Sequence, residues 1–174
     1  MAGQNNIPEI MVDYNVYNQG ERLVGSGPEV EIPSFESMTA TISGAGIMGE
    51  YEASAPGHFS SMEMEIPFRT MTDEAGSLNE PRRQFLTLRG SLQSYSRSKG
   101  INEHRPLKIV VGGKPKGLTP GKMIRSEQME ASITLEIEYI KIEYNGVIMV
   151  ELDKLNSVYI VNGKDYYKNI RDMI

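Results

Sequence analysis

The chain of 174 residues contains no cysteine and no tryptophan, and its only histidines are His58 and His104. Without cysteine there can be no disulfide, no thiolate nucleophile and no thiolate metal site. The two histidines lie far apart and lack HExxH-type spacing, so a metal-enzyme reading has little support. Neither has a serine or aspartate partner at a motif spacing, and each reads as a surface or loop residue. Carboxylates do recur in pairs, Glu63/Glu65 and Glu136/Glu138, as paired acids might stand on one strand face of a glycosidase. A sugar cleft calls for aromatic stacking, however, and with tryptophan missing each pair reads better as a solvated face. No catalytic, cofactor-binding or metal residue is assigned. No apolar run approaches the roughly 18 residues of a membrane span, and no signal peptide opens the chain. A protein made and folded in the cytoplasm is expected.

Basic residues are scarce in the first half. Residues 1–81 hold 2 basic and 13 acidic side chains, residues 82–125 hold 11 basic against Glu103 alone, and residues 126–174 hold 5 and 9, giving the net charge of −5. Two readings follow. Acidic and basic strands pair inside one sheet, or the subunit has an acidic and a basic face suited to head-to-tail stacking of copies. In the second reading Arg82, Arg83, Lys114, Lys116 and Lys122 form a basic inter-subunit face. A nucleic-acid patch is the weaker option, because only Phe85 and Tyr95 interleave with the cations. The length suits a single domain, 1–174, with a core that needs no staples.

What the sequence does have is alternation. In Glu130–Asp153 the residues Ile133, Leu135, Ile137 and Tyr139 oppose Thr134, Glu136 and Glu138, the signature of a half-buried antiparallel strand. At Tyr139-Ile140 the phase flips, and Ile140, Ile142 and Tyr144 carry the apolar face. A β-bulge, or a strand passing between two sheets, is required there. Asn145-Gly146 turns the chain back into Val147–Asp153. A three-residue loop with Gly146 left-handed is preferred, because it pairs Ile142 with Ile148 and Ile140 with Val150.

Elsewhere Ile10–Tyr17, Arg22–Val24, Met38–Ser43, Ser61–Arg69, Phe85–Tyr95, Leu107–Val111 and Ser157–Val161 read as strands. Met38–Ser43 is expected to be half-buried, and Met1–Asn6 to be a flexible extension. Gly44–Phe59 shows no period and reads as a long loop that orders against a neighbouring subunit. Its Gly44, Gly46 and Gly49 match a dinucleotide fingerprint in spacing only, since no βαβ context surrounds them. Thr72 is expected to cap a short helix over Glu74–Leu78. Gly112–Lys122 reads as a basic connection rich in glycine and proline. Asp165 is placed as the cap of a C-terminal helix bearing Tyr166, Ile170 and Met173 on one face. The fold class expected is mainly β, an antiparallel sandwich or barrel with a short internal helix and a C-terminal helix.

Particular residues add to these patterns. Ile7-Pro8-Glu9-Ile10 followed by Asp13-Tyr14-Asn15-Val16-Tyr17 resembles the opening of the major tail tube protein family of contractile-tailed bacteriophages. The likeness continues through Thr41–Ile47, Pro56-Gly57-His58-Phe59, Leu88-Arg89-Gly90 and Lys114-Pro115-Lys116. It resumes at Glu138-Tyr139 with Lys141, at Glu151-Leu152-Asp153-Lys154-Leu155-Asn156 and at Val161-Asn162-Gly163. What the resemblance implies is a structural protein, not an enzyme. It implies hexameric rings stacked into the inner tube of a contractile tail, with two hairpins per subunit lining a lumen. Strands 38–43 with 61–69, and 107–111 with 130–139, are mapped to that inner wall. Glu63, Glu65, Thr134, Glu136 and Glu138 then line the bore. The 44–59 loop, with Gly44, Gly46, Ile47, Tyr51, His58 and Phe59, joins ring to ring. Implied partners are further copies of the chain, a sheath protein, baseplate and tail-terminator proteins. Inside the lumen a tape measure protein and DNA are held without sequence-specific binding. The tail would be assembled in the host cytoplasm. The tube of a DNA-free contractile bacteriocin is the alternative, and a monomeric β-sandwich binding module a more distant one.

Overall fold

A computed structural model describes residues 6–174. The expected N-terminal extension lies outside these residues except for Asn6, which opens the first strand, β1 (Asn6–Asn18). Gln19 and Gly20, both at positive φ, turn β1 into the short β2 (Glu21–Arg22). A hairpin follows, β3 (Ser37–Ser43) with β4 (Glu50–Phe59), and then β5 (Glu63–Phe68). Helix α1 (Asp73–Leu78) starts as expected, with the Thr72 hydroxyl accepting from the Ala75 N–H and Asp73 and Glu74 in the first turn. The favourable placement of those acids at the helix N-terminus explains why six residues hold a helix here.

Two long strands carry the second half, β6 (Gln84–Ser96) and β7 (Ile101–Thr119), followed by β8 (Ala131–Tyr144). The chain closes with β9 (Val147–Asp153), β10 (Val158–Val161), β11 (Lys164–Asp165) and the four-residue α2 (Lys168–Arg171). All pairings are antiparallel, in the order β11-β10-β9-β8-β7-β6-β1-β2, with β5 on β8 and the β3–β4 hairpin as a sheet of its own.

β8 is the spine. β7 runs along one of its edges throughout, while the other edge holds β5 over Ala131–Glu136 and β9 over Tyr139–Tyr144. The phase flip has the anticipated cause, one step earlier than the sequence places it. Gly112 faces Tyr139 and Gly113 faces Ile137, so Glu138 is the extra residue of a bulge. A bulge bends the strand and reverses which residues point inward. Hence Ile133, Leu135 and Ile137 are buried before it and Ile140 after it. They join Met64, Ile66 and Phe68 from β5 and Val16, Leu86, Leu88, Val111 and Leu152 from the other strands in one core cluster.

Several expectations are corrected. Residues 44–59 are not one loop: Glu50–Phe59 is strand, and only 44–49 connects it to β3. β4 escapes a periodicity reading because both its faces are largely exposed and Pro56-Gly57 breaks it near its base, where Gly57 takes φ 76. β3 pairs with β4, not with the 61–69 strand, which pairs with β8 instead. Gly112–Lys122 is not a plain connection, since β7 continues to Thr119. The 145–146 turn is a two-residue loop with both residues at positive φ, and Tyr144 faces Val147. A bulge at Met149 then restores the apolar match by pairing Ile142 with Val150 and Ile140 with Leu152. The turn keeps the twist that suits a hairpin, and the mismatch is absorbed in the strand. At the C-terminus Asp165 accepts from the Tyr167 N–H, but α2 buries no residue, and Tyr166 and Met173 are exposed. Four residues cannot present the three-turn face that i, i+4, i+7 spacing assumes. Finally, β3 is exposed along all seven residues rather than half-buried.

Candidate functional site

No concave catalytic centre organises this chain; its candidate features are surfaces. The first is the side of β5, the first half of β8 and the last third of β7 that faces away from the core. Direct cross-strand partners share a face, and the register sets Glu63 opposite Glu136 and Glu65 opposite Thr134. On the far side of β8, Lys114 lies opposite Glu136, while Lys116 is the extra residue of a second bulge. The four expected residues Glu63, Glu65, Thr134 and Glu136 are therefore brought together. Glu138, as the bulge residue, lies at the margin of that face.

This face is less uniformly anionic than the sequence suggests. Lys116 bridges Glu63 and Glu136, the latter at 3.5 Å. Lys114 reaches Glu138 at 3.2 Å, and Arg83 approaches the same carboxylate at 3.5 Å while its guanidinium lies over the Phe85 ring. Arg82 pairs with Glu80 at 2.7 Å and Lys122 with Glu130 at 3.1 Å. Each of the five basic residues named above thus has a carboxylate of its own chain beside it. Of the two explanations for the segregated charge, pairing within one sheet is visible in the fold. Sequence reading could not choose between them because cross-strand register, which decides who meets whom, was unknown.

Burial alone would raise the Glu136 carboxyl. The Ser61 hydroxyl at 2.7 Å, the Met62 N–H at 3.3 Å and the Lys116 ammonium outweigh it and hold the group below its ordinary 4.5. A depressed folded value stabilises the fold above the ordinary value, and that contribution is lost as pH falls through the folded one. Glu136→Gln should therefore lower the urea midpoint at pH 7, with the difference closing by about pH 3. Nearby, burial and the Glu151 carboxylate, which accepts from its hydroxyl at 3.0 Å, push Tyr139 up to about 12. Sequence reading assigned Tyr139 to packing on the wrong face; its hydroxyl's partner became findable only with the β8–β9 register.

The second surface is the hairpin. Its register places Ala40 opposite Ala53 and Ile42 opposite Tyr51, and Thr41 opposite Glu52 and Ser43 opposite Glu50. One face is thus apolar and the other is polar and acidic. The six residues expected to join rings are split by the structure. Gly44, Gly46 and Ile47 form the tip and Tyr51 stands on the apolar face, whereas His58 and Phe59 anchor the base. Phe59 packs edge-on between Phe35, at 5.6 Å, and Tyr159, at 5.3 Å. His58 stacks obliquely on Tyr167 at 5.8 Å. Gly57 closes the base: a β-carbon there would sit 3.2 Å from the Tyr167 ring. Behind it lies a small cavity of about 180 Å³ walled by Asp153, Lys154 and Tyr159. Lys154 donates to the Ser60 carbonyl at 2.7 Å, and burial lowers its ammonium. These contacts tie the root of the hairpin to β9 and β10.

The fold is similar to that of a chain in the cryo-EM structure of an extracellular contractile injection system, the PVC sheath/tube terminator in its extended state. The TM-score is 0.52 at 15% sequence identity, over 78% of this chain and 96% of that one. At that identity the likeness is one of fold. No curated protein matches the chain. The family described as phage tail tube protein FII matches residues 8–174, and the chain accordingly belongs to that family.

Proposed function

We propose that this tail tube protein assembles as hexameric rings stacked into the inner tube of a contractile phage tail, the conduit for DNA on ejection. The observation that carries this reading is a sheet left open at both edges. β5 pairs with β8 on one side, and its other edge meets only residues 25–27, at Pro67–Arg69. On the opposite side, β7 beyond Gly113 pairs with β8 alone. Unsatisfied backbone edges invite further strands, and a ring of identical copies removes them by closure.

The outward face of this sheet suits a bore. DNA condenses on basic surfaces by releasing counterions, so a wall past which it slides must not be basic. Here Glu63, Glu65, Thr134 and Glu136 supply a hydrated surface on which Lys116 is already neutralised by its own neighbours. Sheath, baseplate, terminator and tape measure proteins would be the partners outside, at the ends and within, in a particle assembled in the host cytoplasm.

Negative-stain microscopy of the purified full chain over a concentration series tests the reading. Rings in top view and hollow, regularly striated rods in side view are expected. A chain that remains monomeric by analytical ultracentrifugation at the highest attainable concentration would refute it.

A further inference from the structure

The apolar face of the hairpin and an apolar groove elsewhere on the same chain are complementary. From this we infer, resting on the ring reading above, that the hairpin of one copy seats in the groove of the next. The hairpin face comprises Met38, Ala40, Ile42, Tyr51 and Ala53, with Met48 at the tip. Met38 is 57% exposed, Tyr51 53% and Met48 fully so. A two-stranded hairpin is marginal in water by itself, and an amphipathic sheet needs a second layer over its apolar side. Within the described residues the chain ties down only the base of this hairpin.

The groove, of about 530 Å³, opens where β1, β6, β7, β8 and β9 run past the end of the core. Its apolar walls are Ile10, Met11, Leu92, Leu107, Tyr144 and Met149. Met11 lies across Gly90, where a β-carbon would come within 3.2 Å of its methyl, and a smaller apolar cleft under Val30 and Ile32 continues from Met11 and Leu107 toward the core. This is the inner layer of the sheet continued without a cover. Ser94 lines the same groove, 8% exposed, with a hydroxyl that has no hydrogen-bond partner. A buried hydroxyl left so is costly, and an incoming strand edge brings carbonyls that satisfy it.

Charge selects the occupant. From Leu23 to Phe68 the chain contains no lysine or arginine, and the hairpin carries Glu50 and Glu52. On the groove wall Arg105 stands 3.8 Å from Glu103, a carboxylate that Lys99 already holds at 2.7 Å and Asn6 at 2.9 Å. Arg105 is thus incompletely matched and available to a hairpin glutamate. The five residues preceding Asn6, Met-Ala-Gly-Gln-Asn, offer neither an acid nor an apolar strand face. Hairpin and groove are different surfaces, so the contact is heterologous and repeats from copy to copy, as ring closure or filament growth demands.

Because the native chain has no cysteine, single thiols report the contact cleanly. Tyr51→Cys and Met149→Cys chains, mixed and assembled, should be joined by a short bis-maleimide into a covalent dimer. A mixture with Glu127→Cys in place of Met149→Cys should give several-fold less. Ile42→Cys replaces Tyr51→Cys if the latter fails to fold. Rings or tubes that form without the Tyr51–Met149 product overturn the groove assignment and leave the ring reading standing. Preferred cross-linking of Met149→Cys to a thiol placed at Gly3 puts the N-terminal residues in the groove and also overturns it. A sample with neither rings nor product defeats both.

Discussion

Replacing Gly113 with alanine is expected to destabilise the subunit by about 3 kcal/mol, at the upper end of what overpacking costs. The reason is backbone, not side chain. A β-carbon at this position would lie 2.3 Å from the Glu136 carbonyl oxygen and 3.1 Å from its carbon. A flexible side chain could swing away, whereas here two central strands must part. Gly113 also sits at the register shift that makes Glu138 the extra residue, so relief by sliding would turn Ile137 or Ile140 out of the core. Gly117→Ala is the control: it stands at the second bulge of the same pair, and an added carbon meets nothing within 4 Å. That variant should stay within about 0.5 kcal/mol of the parent. Urea denaturation of dispersed subunits reads both, and equal midpoints for the two variants would show that the bulge tolerates a methyl.

Phe68→Ala should cost about 4 kcal/mol, within the range for truncating a buried aromatic. Phe68 ends β5 opposite Ala131, is 2% exposed and belongs to the single core cluster. Its small cross-strand partner cannot fill the space left behind, and the surrounding Ile133, Leu78 and Ala75 are themselves buried to completion. A loss under about 1.5 kcal/mol would mean that the site collapses around the cavity. At this chain length the expected value corresponds to a fall in Tm of roughly 10 °C.

The features that sequence revealed and those it hid divide along a physical line. Ile133, Leu135 and Ile137 before the flip and Ile140 after it were readable because half-burial inside one chain imposes a period of two. Thr72 was readable because capping is local. β4 was missed because Ala53, Ser54, Ala55, Pro56 and Gly57 offer no strong alternation. β7 beyond Gly113 was missed because Gly-Lys-Pro-Lys-Gly carries turn composition in a stretch whose second edge has no partner within the chain. The alternation in Met38–Ser43 correctly forecast an apolar face, yet the expected cover is not part of this polypeptide. Ionic partners such as Lys116 with Glu63 depend on a bulge two strands away, which no local signal announces.

β7, with 19 residues, and β8, with 14, each pass unbroken from the outer sheet into the sheet proposed to face the bore. Two layers joined only by side-chain packing can shear past one another; two layers sharing continuous polypeptide cannot. Torque delivered to the exterior of such a subunit, as when a surrounding sheath shortens, would travel to the channel through covalent bonds and cross-strand ladders. The tube would then turn or advance as a stiff rod, with little of the applied work lost to internal slippage.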